Sequence, residues 1–161
     1  MPRVREFDEE LVLQQAMELF WKKGYVDTSM RDVAAHTGVA HAGLYAAFGS
    51  KRKLFVMALD RYRDAVLRPM LLPVAAEGSG RQEIENFFRG LSDAMAQGAF
   101  VNGCFLCNSA IEFGDDGGPI LKQIRENFGR MLAAFEGALR RARDRGEVRS
   151  DLDPAASASA L

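Results

Sequence analysis

Three adjacent cations, Lys51-Arg52-Lys53, follow Ser50 at the predicted start of a helix. The positive end of the helix dipole disfavours cations in the first turn, so this run is badly placed unless an anion lies nearby. The free backbone N–H groups of a first helical turn bind phosphate, and a lysine beside them adds a favourable charge. The run therefore predicts a phosphate-binding surface; the alternative is a group of solvated surface charges.

These cations belong to a short basic island in a chain that is otherwise close to neutral. The 161 residues include 21 Lys and Arg against 22 Asp and Glu, for a formal charge of −1. Residues 28–55 contain four basic residues against Asp32 as the single acidic one, which gives this segment a charge of +3. A local excess of positive charge in a neutral chain indicates a local anionic partner.

Two cysteines, Cys104 and Cys107, are the other side chains capable of chemistry, and their spacing places them on one face of a helix. One interpretation is core packing, because free cysteines are often buried. Another is a redox or electrophile sensor, because a thiol such as Cys104 near a helix start can have a lowered pKa. Zinc is disfavoured, since His36 and His41 are far upstream and no second ligand pair has zinc spacing. A thioredoxin-like motif would need a βαβ setting, and the sequence predicts no strands. We therefore expect neither a bound metal ion nor a cofactor.

Helical periodicity runs along nearly the whole chain and predicts an all-α fold. Predicted helices cover 8–23, 29–38, 40–47, 50–67, 81–97, 103–113 and 119–145, and a further helix begins at Asp153-Pro154. Residues 73–80, rich in Pro, Gly and Ser, are predicted to form a loop. No apolar run reaches the roughly 18 residues of a membrane span, and the start lacks an apolar signal segment. The chain has only two cysteines, which is too few for the disulfide framework of a secreted protein. We therefore expect a cytoplasmic location and no membrane partner.

The two short helices of the basic island have the spacing of a helix-turn-helix. Ser29 and Asp32 fit a capping box at the start of the first of them. Thr37-Gly38-Val39-Ala40 supplies a tight turn with glycine where a positive φ is needed. This arrangement is typical of DNA-binding proteins; the alternative is an ordinary helical corner inside a bundle.

The motifs of this region resemble, in order and spacing, the N-terminal domain of TetR-family transcriptional regulators. They are Phe20-Trp21-Lys22-Lys23-Gly24-Tyr25, Thr28–Ala34, Gly38-Val39, Leu44-Tyr45 and Phe48-Gly49-Ser50-Lys51. The later helices resemble the family's ligand-binding domain more loosely, through Gly103-Cys104-Phe105-Leu106 and Asn108–Glu112. The resemblance implies a three-helix DNA-binding domain over 6–66 and a helical effector-binding and dimerisation domain over 67–161. It also implies a homodimer that binds palindromic double-stranded operator DNA and leaves it when an effector enters the second domain.

Residue roles at the DNA follow from the resemblance by position. Thr28, Tyr45 and Lys51 match the family's phosphate contacts, which set register without reading sequence. Arg31 can reach a guanine edge or a phosphate, and the helix after Ala40 would enter the major groove. The predicted DNA-binding residues are Thr28, Ser29, Arg31, Ala40, His41, Ala42, Gly43, Tyr45, Ala46 and Lys51.

Several of these residues depart from the family pattern. Ala40 stands where a capping Ser or Thr is common, His41 where Lys is common, and Ala46 where larger side chains are common. Only His41 and Arg31 offer strong hydrogen bonds to bases. We therefore expect modest direct readout, with phosphate contacts and DNA shape supplying much of the binding.

The second half of the chain is rich in Phe and Met, which suits a small apolar effector. The candidate effector residues are Phe88, Met95, Phe128 and Met131, and the alternative is that they form the core. Some relatives with a Gly-Cys at this point use the thiol, so an electrophilic effector acting on Cys104 and Cys107 is the second possibility.

A ligand-responsive repressor is the leading functional hypothesis, and an enzyme and a structural helical module are the alternatives. The sequence contains no nucleophile elbow, paired-carboxylate motif or phosphate loop, so no catalytic residue and no enzymatic activity are expected. Glu112, Asp115 and Asp116 are interpreted as a solvated loop edge. Because a helix beginning at Pro154 is cut short at residue 161, we expect a C-terminally shortened second domain and a weakened or rearranged dimer.

Overall fold

The computed structural model describes residues 7–114 and 118–161, and within these ranges the chain is helical and has no strand. The helices are α1 (Glu9–Lys23), α2 (Met30–Thr37), α3 (His41–Phe48), α4 (Lys51–Tyr62), α5 (Arg68–Ala75), α6 (Arg81–Ala96), α7 (Phe105–Phe113), α8 (Pro119–Asp144) and α9 (Pro154–Ala160). A π-helical turn, Arg63–Leu67, joins α4 to α5. The all-α prediction is confirmed. None of the helices in the described ranges has the length and hydropathy to cross a membrane.

Local capping explains why the helix-turn-helix forms where the sequence predicts it. The Ser29 hydroxyl oxygen accepts a hydrogen bond from the N–H of Asp32, and the Asp32 carboxylate accepts one from the N–H of Ser29 at 2.7 Å. Gly38 ends α2 in the left-handed conformation, with a φ of 71°. Ala40 supplies no side-chain cap to α3, whereas the Ser50 hydroxyl accepts from the N–H of Lys53 and starts α4.

The described chain divides into two compact units, and the backbone passes between them three times. The first unit comprises Met1–Arg63 and Asn102–Leu121, and the second comprises Asp64–Val101 and Lys122–Leu161. The first passage lies close to the predicted domain boundary after residue 66. Helix α7, however, belongs to the same unit as α1 to α4, although it is far from them in sequence.

An aromatic cluster fills the first unit where α1, α4 and α7 meet. Its members are Phe20, Trp21, Tyr25, Phe55, Tyr62, Phe105 and Phe113. Phe55 is fully buried at its centre, with ring centroids 5.0 Å from Phe20, 5.0 Å from Tyr25 and 5.4 Å from Phe105. Edge-to-face ring pairs of this kind stabilise a core beyond their buried area.

The second unit has a separate core, formed by α5, α6, α8 and α9. Its buried residues are Val74, Ile84, Phe135, Ala138, Leu139 and Ala158. Helix α9 begins where the sequence predicts a helix, because the Asp153 carboxylate accepts from the N–H of Ala155 at 3.0 Å.

The loop after α5 is held by two arginines, one in α8 and one directly after the end of α8. The Nε of Arg141 donates to the carbonyl of Ser79 at 3.0 Å, and Arg145 donates to that of Gly78 at 3.0 Å.

The prediction of a loop over 73–80 is wrong for residues 73–75, because α5 continues to Ala75. Pro69 lies in the first turn of α5, directly after the π-helical turn, and has no N–H to donate to that turn. Pro73 removes one further backbone bond from a helix of eight residues, and burial of Val74 anchors the helix nearby. The predicted helix over 50–67 is α-helical to Tyr62 and π-helical over Arg63–Leu67, and its predicted end before Pro69 is wrong, because α5 follows directly.

Candidate nucleic-acid interface

Helix α3 presents most of its predicted base-reading residues to solvent. The exposed members are Ala40, His41, Ala42, Tyr45 and Ala46, and Gly43 is half-buried. On the opposite face, Leu44 and Phe48 are buried and hold the helix against its own unit. The four-residue spacing of these two anchors leaves one whole face of α3 available for a groove.

Two polar rings lie together on this exposed face. His41 and Tyr45 are one helical turn apart, and their ring centroids are separated by 4.8 Å in an edge-to-face arrangement. Gly43, between them in sequence, lies beside Phe7, since a Cβ atom at this position would be 3.3 Å from the Phe7 ring. The glycine therefore makes room for Phe7, two residues before the start of α1.

The predicted phosphate contacts differ in how accessible they are. Thr28 is fully buried, and its hydroxyl donates a hydrogen bond to the carbonyl oxygen of Gly24 at 2.7 Å. The Ser29 hydroxyl donates to the Asp32 carboxylate at 2.5 Å. Arg31 is exposed. The contact predicted for Thr28 stays a prediction, and Thr28 is the least accessible member of the set.

Lys51 has partners within the chain that the sequence does not reveal. Its Nζ atom lies 4.2 Å from the centroid of the Tyr25 ring, in cation–π geometry. Partial burial lowers the pKa of Lys51, while the carboxylates of Glu112, Asp32 and Asp27 act in the opposite direction. The cation at the start of α4 is therefore partly compensated by an aromatic ring and nearby carboxylates, so an external phosphate is not required to explain its position.

The two cysteines lie in the first unit, at the start of α7. Cys104 is the half-buried N-cap residue, and the Tyr62 hydroxyl lies 3.8 Å from its Sγ. Cys107, one turn further, is exposed as a residue, yet partial burial of its thiol raises its pKa to about 11. The neighbouring Cys104 adds to this shift by its charge and a hydrogen bond. Cys107 is therefore a protonated, weakly nucleophilic thiol at neutral pH.

The apolar effector candidates all lie in the second unit. Phe88 and Met95 are exposed on α6, and Phe128 and Met131 are half-buried on α8. The Phe88 ring lies 5.2 Å from that of Phe87 and 5.8 Å from that of Phe135 in the core. Their role toward an effector stays a prediction. Across the described ranges, no three or more His, Cys, Asp or Glu side chains are grouped to hold a metal ion.

Glu112 is exposed, as expected for a solvated residue, but it lies in the last turn of α7 and not at a loop edge, so that part of the interpretation is wrong. Its carboxylate accepts hydrogen bonds from the backbone N–H groups of Tyr25 at 2.9 Å and Val26 at 2.6 Å. Asp115 and Asp116 lie outside the described residues. No local sequence pattern could have revealed the contact, because Glu112 and Tyr25 are 87 positions apart.

Comparisons with known proteins agree with this architecture. The family model for "Bacterial regulatory proteins, tetR family" matches residues 12–58, and that for "Tetracyclin repressor-like, C-terminal domain" matches residues 80–161. The HTH-type transcriptional regulator YezE of Bacillus subtilis is 33% identical over 94% of this chain and 78% of its own length. The HTH-type transcriptional repressor ComR of Escherichia coli is 29% identical over 91% of this chain and 70% of its own.

Solved structures show the same fold. A cysteine mutant of the TetR family transcriptional regulator CifR, complexed with 26-bp double-strand operator DNA, matches with a TM-score of 0.82 and 26% identity. The match covers 98% of this chain and 82% of the CifR chain. A regulator from Chloroflexus aurantiacus matches with a TM-score of 0.81 and 27% identity over 92% of this chain and 75% of its own. With matching models for both halves and a relative aligned along most of its length, this chain belongs to the TetR family of transcriptional regulators, which are not enzymes.

Proposed function

We propose that this chain is a sequence-specific repressor that binds palindromic operator DNA as a homodimer and is released by an effector. The observation that carries the proposal is the exposed face of α3, which is anchored by buried Leu44 and Phe48 and lies in a segment with a charge of +3. Relatives that are repressors, and the CifR complex with operator DNA, support the same function. The DNA-binding domain would cover residues 6–66 and the effector domain 67–161.

Recognition of bases would depend on few side chains. On α3 only His41 and Tyr45 carry polar groups at the exposed face, and the alanines can contact thymine methyl groups. Arg31, exposed in the first turn of α2, can add a base or phosphate contact. Phosphate contacts and DNA shape would therefore supply much of the affinity.

Release by an effector has two candidate routes. A small apolar molecule would act on the second domain, where Phe88, Met95, Phe128 and Met131 are the candidate contacts. An electrophile would instead alkylate a thiol at the start of α7, where Cys107 is the accessible one. The raised pKa of Cys107 makes this thiol slow to react at neutral pH, which favours the apolar effector as the faster signal.

Replacing His41 with alanine should weaken binding to the best sequence by about tenfold and relax the preference at one base position, as expected for a lost base contact. The measurement is fluorescence anisotropy at fixed salt with a duplex selected from a randomised library by the wild-type protein, and with its single-base variants. His36→Ala, which removes an exposed histidine of α2, is the control. Equal weakening on every sequence would show that His41 does not read bases.

Replacing Lys51 with alanine should reduce the slope of log affinity against log salt by about 0.9, the value for one lost phosphate contact on B-DNA. Relative preference among sequences should stay unchanged, because phosphate contacts carry no sequence information. Lys122→Ala removes an exposed cation of α8 and should leave the slope as it is. An unaltered slope in Lys51→Ala would show that this ammonium group does not contact a phosphate. Its contact would then be the one with the Tyr25 ring.

A further inference from the structure

A single carboxylate joins the last turn of α7 to the α1–α2 loop, residues 24–29. Both oxygens of Glu112 are used, one for the N–H of Tyr25 and the other for the N–H of Val26. The loop is shaped for this contact, because a Cβ atom on Gly24 would lie 3.0 Å from the carboxylate and the φ of Gly24 is +86°. A side chain at position 24 would therefore be strained and would crowd Glu112.

The loop that Glu112 holds carries or supports most of the predicted phosphate contacts. Thr28 and Ser29 lie at its end, and Ser29 caps α2. The ring of Tyr25, the residue whose N–H donates to Glu112, lies 4.2 Å from the ammonium group of Lys51. The position of these groups therefore depends on the loop conformation that the carboxylate stabilises.

The other end of α7 is also fixed to the first unit, near the cysteines. The indole Nε1 of Trp21 donates to the carbonyl of Gly103 at 2.9 Å, just before the helix. Phe105 and Leu106 are buried in the first turn of α7. One helix of nine residues thus carries the cysteine pair at its start and Glu112 in its last turn.

Electrostatics alone would place no carboxylate here. An anion beside a surface that binds a polyanion lowers affinity by Coulomb repulsion. Hydrogen bonds from two backbone amides to a carboxylate are of the stronger, charge-assisted kind, so they provide a structural benefit that can outweigh this cost.

We propose that Glu112 is a positioning residue for DNA binding: it fixes the α1–α2 loop in the conformation that presents the phosphate contacts, and it links α7 to that surface. The proposal rests on the proposed function in that the surface is taken to bind DNA. In this arrangement α7 would transmit a structural change at its cysteine end, through Glu112, to the α1–α2 loop.

The test separates geometry from charge by using two variants of Glu112. Glu112→Asp keeps the charge but is too short to reach both amides, and it should weaken binding to the selected duplex by about tenfold. Glu112→Gln removes the charge and one acceptor, and it should also weaken binding, by a smaller factor. If the carboxylate acts only by its charge, Gln should bind DNA more tightly and Asp should match the wild type. That result would overturn the proposal.

Hydrogen exchange provides a measurement that needs no DNA. The amides of Tyr25 and Val26 should exchange faster in Glu112→Asp than in the wild type, while amides of α9 stay unchanged. Glu126→Gln removes an exposed carboxylate of α8 and serves as the charge control, with wild-type affinity and exchange expected. Unchanged exchange at Tyr25 and Val26 would contradict the positioning role even if the chain bound no operator at all.

A second arm distinguishes failure of this proposal from failure of the thiol route. Cys107 is alkylated with iodoacetamide, which forms a thioether and releases iodide and a proton, in the wild type and in Glu112→Asp. If α7 passes the change on, alkylation should weaken DNA binding in the wild type and have little further effect in the variant. Alkylation that weakens both equally would refute transmission through Glu112. Alkylation without effect in the wild type would remove the thiol route, and the affinity and exchange of Glu112→Asp would still decide the positioning role.

Discussion

Replacing Phe55 with alanine should lower the free energy of unfolding by about 3–5 kcal/mol, the range for a large aromatic side chain lost from a core. Phe55 is fully buried and its ring contacts those of Phe20, Tyr25 and Phe105, with Phe113 at 5.5 Å. A cavity at this point would remove partners from α1 and α7 together, so the surrounding rings cannot close it without moving two helices.

Urea denaturation followed by circular dichroism measures this loss, with the midpoint and slope fitted separately. Met57→Ala is the matched control, because Met57 lies on the same helix and is 39% exposed, so its loss should cost below about 1 kcal/mol. Similar losses in the two variants would mean that the aromatic cluster is not the centre of stability of the first unit.

Alkylation of Cys107 should accelerate by about a thousandfold between pH 7 and pH 10. Only the thiolate reacts, and the pKa of this thiol is about 11. Below that pKa the thiolate fraction rises about tenfold for each pH unit. An ordinary cysteine with a pKa of about 8.5 would gain only about thirtyfold over this range and would level off above pH 9. The cause of the difference is partial burial of the thiol, with the neighbouring Cys104 acting in the same direction.

The rate is measured by mass spectrometry of the peptide that contains Cys107 after timed treatment with iodoacetamide. A Cys104→Ser variant tests the contribution of the neighbour, and it should shift the profile toward lower pH. Circular dichroism at each pH confirms that the chain stays folded. A rate that levels off near pH 9 would show that the thiol is an ordinary one, which would strengthen its candidacy as a sensor at physiological pH.

Local features of this chain could be predicted from its sequence because their causes are local. Ser29 with Asp32 defines the start of α2, Gly38 its end, and Asp153 the start of α9, each through bonds within a few residues. The exposed face of α3 follows in the same way from the spacing of Leu44 and Phe48.

Features that depend on distant parts of the chain could not be predicted. The contact of Glu112 with Tyr25 depends on where α7 packs, and the compensation of Lys51 depends on Glu112 and on the Tyr25 ring, which no local pattern encodes. The path of α5 through two prolines is a similar case, because burial of Val74 in the second core overrides the local signal for a loop.

The division of the first unit between two stretches of sequence has a consequence for its synthesis. The ribosome makes α1 to α4 early, but the segment 102–121 that completes their unit follows only after residues 64–101. At about 5–20 residues per second, several seconds pass during which the rings of α1 and α4 lack their cover from Phe105 and Phe113. A nascent chain stalled in this interval would expose aromatic surface and would be a substrate for chaperones and proteases.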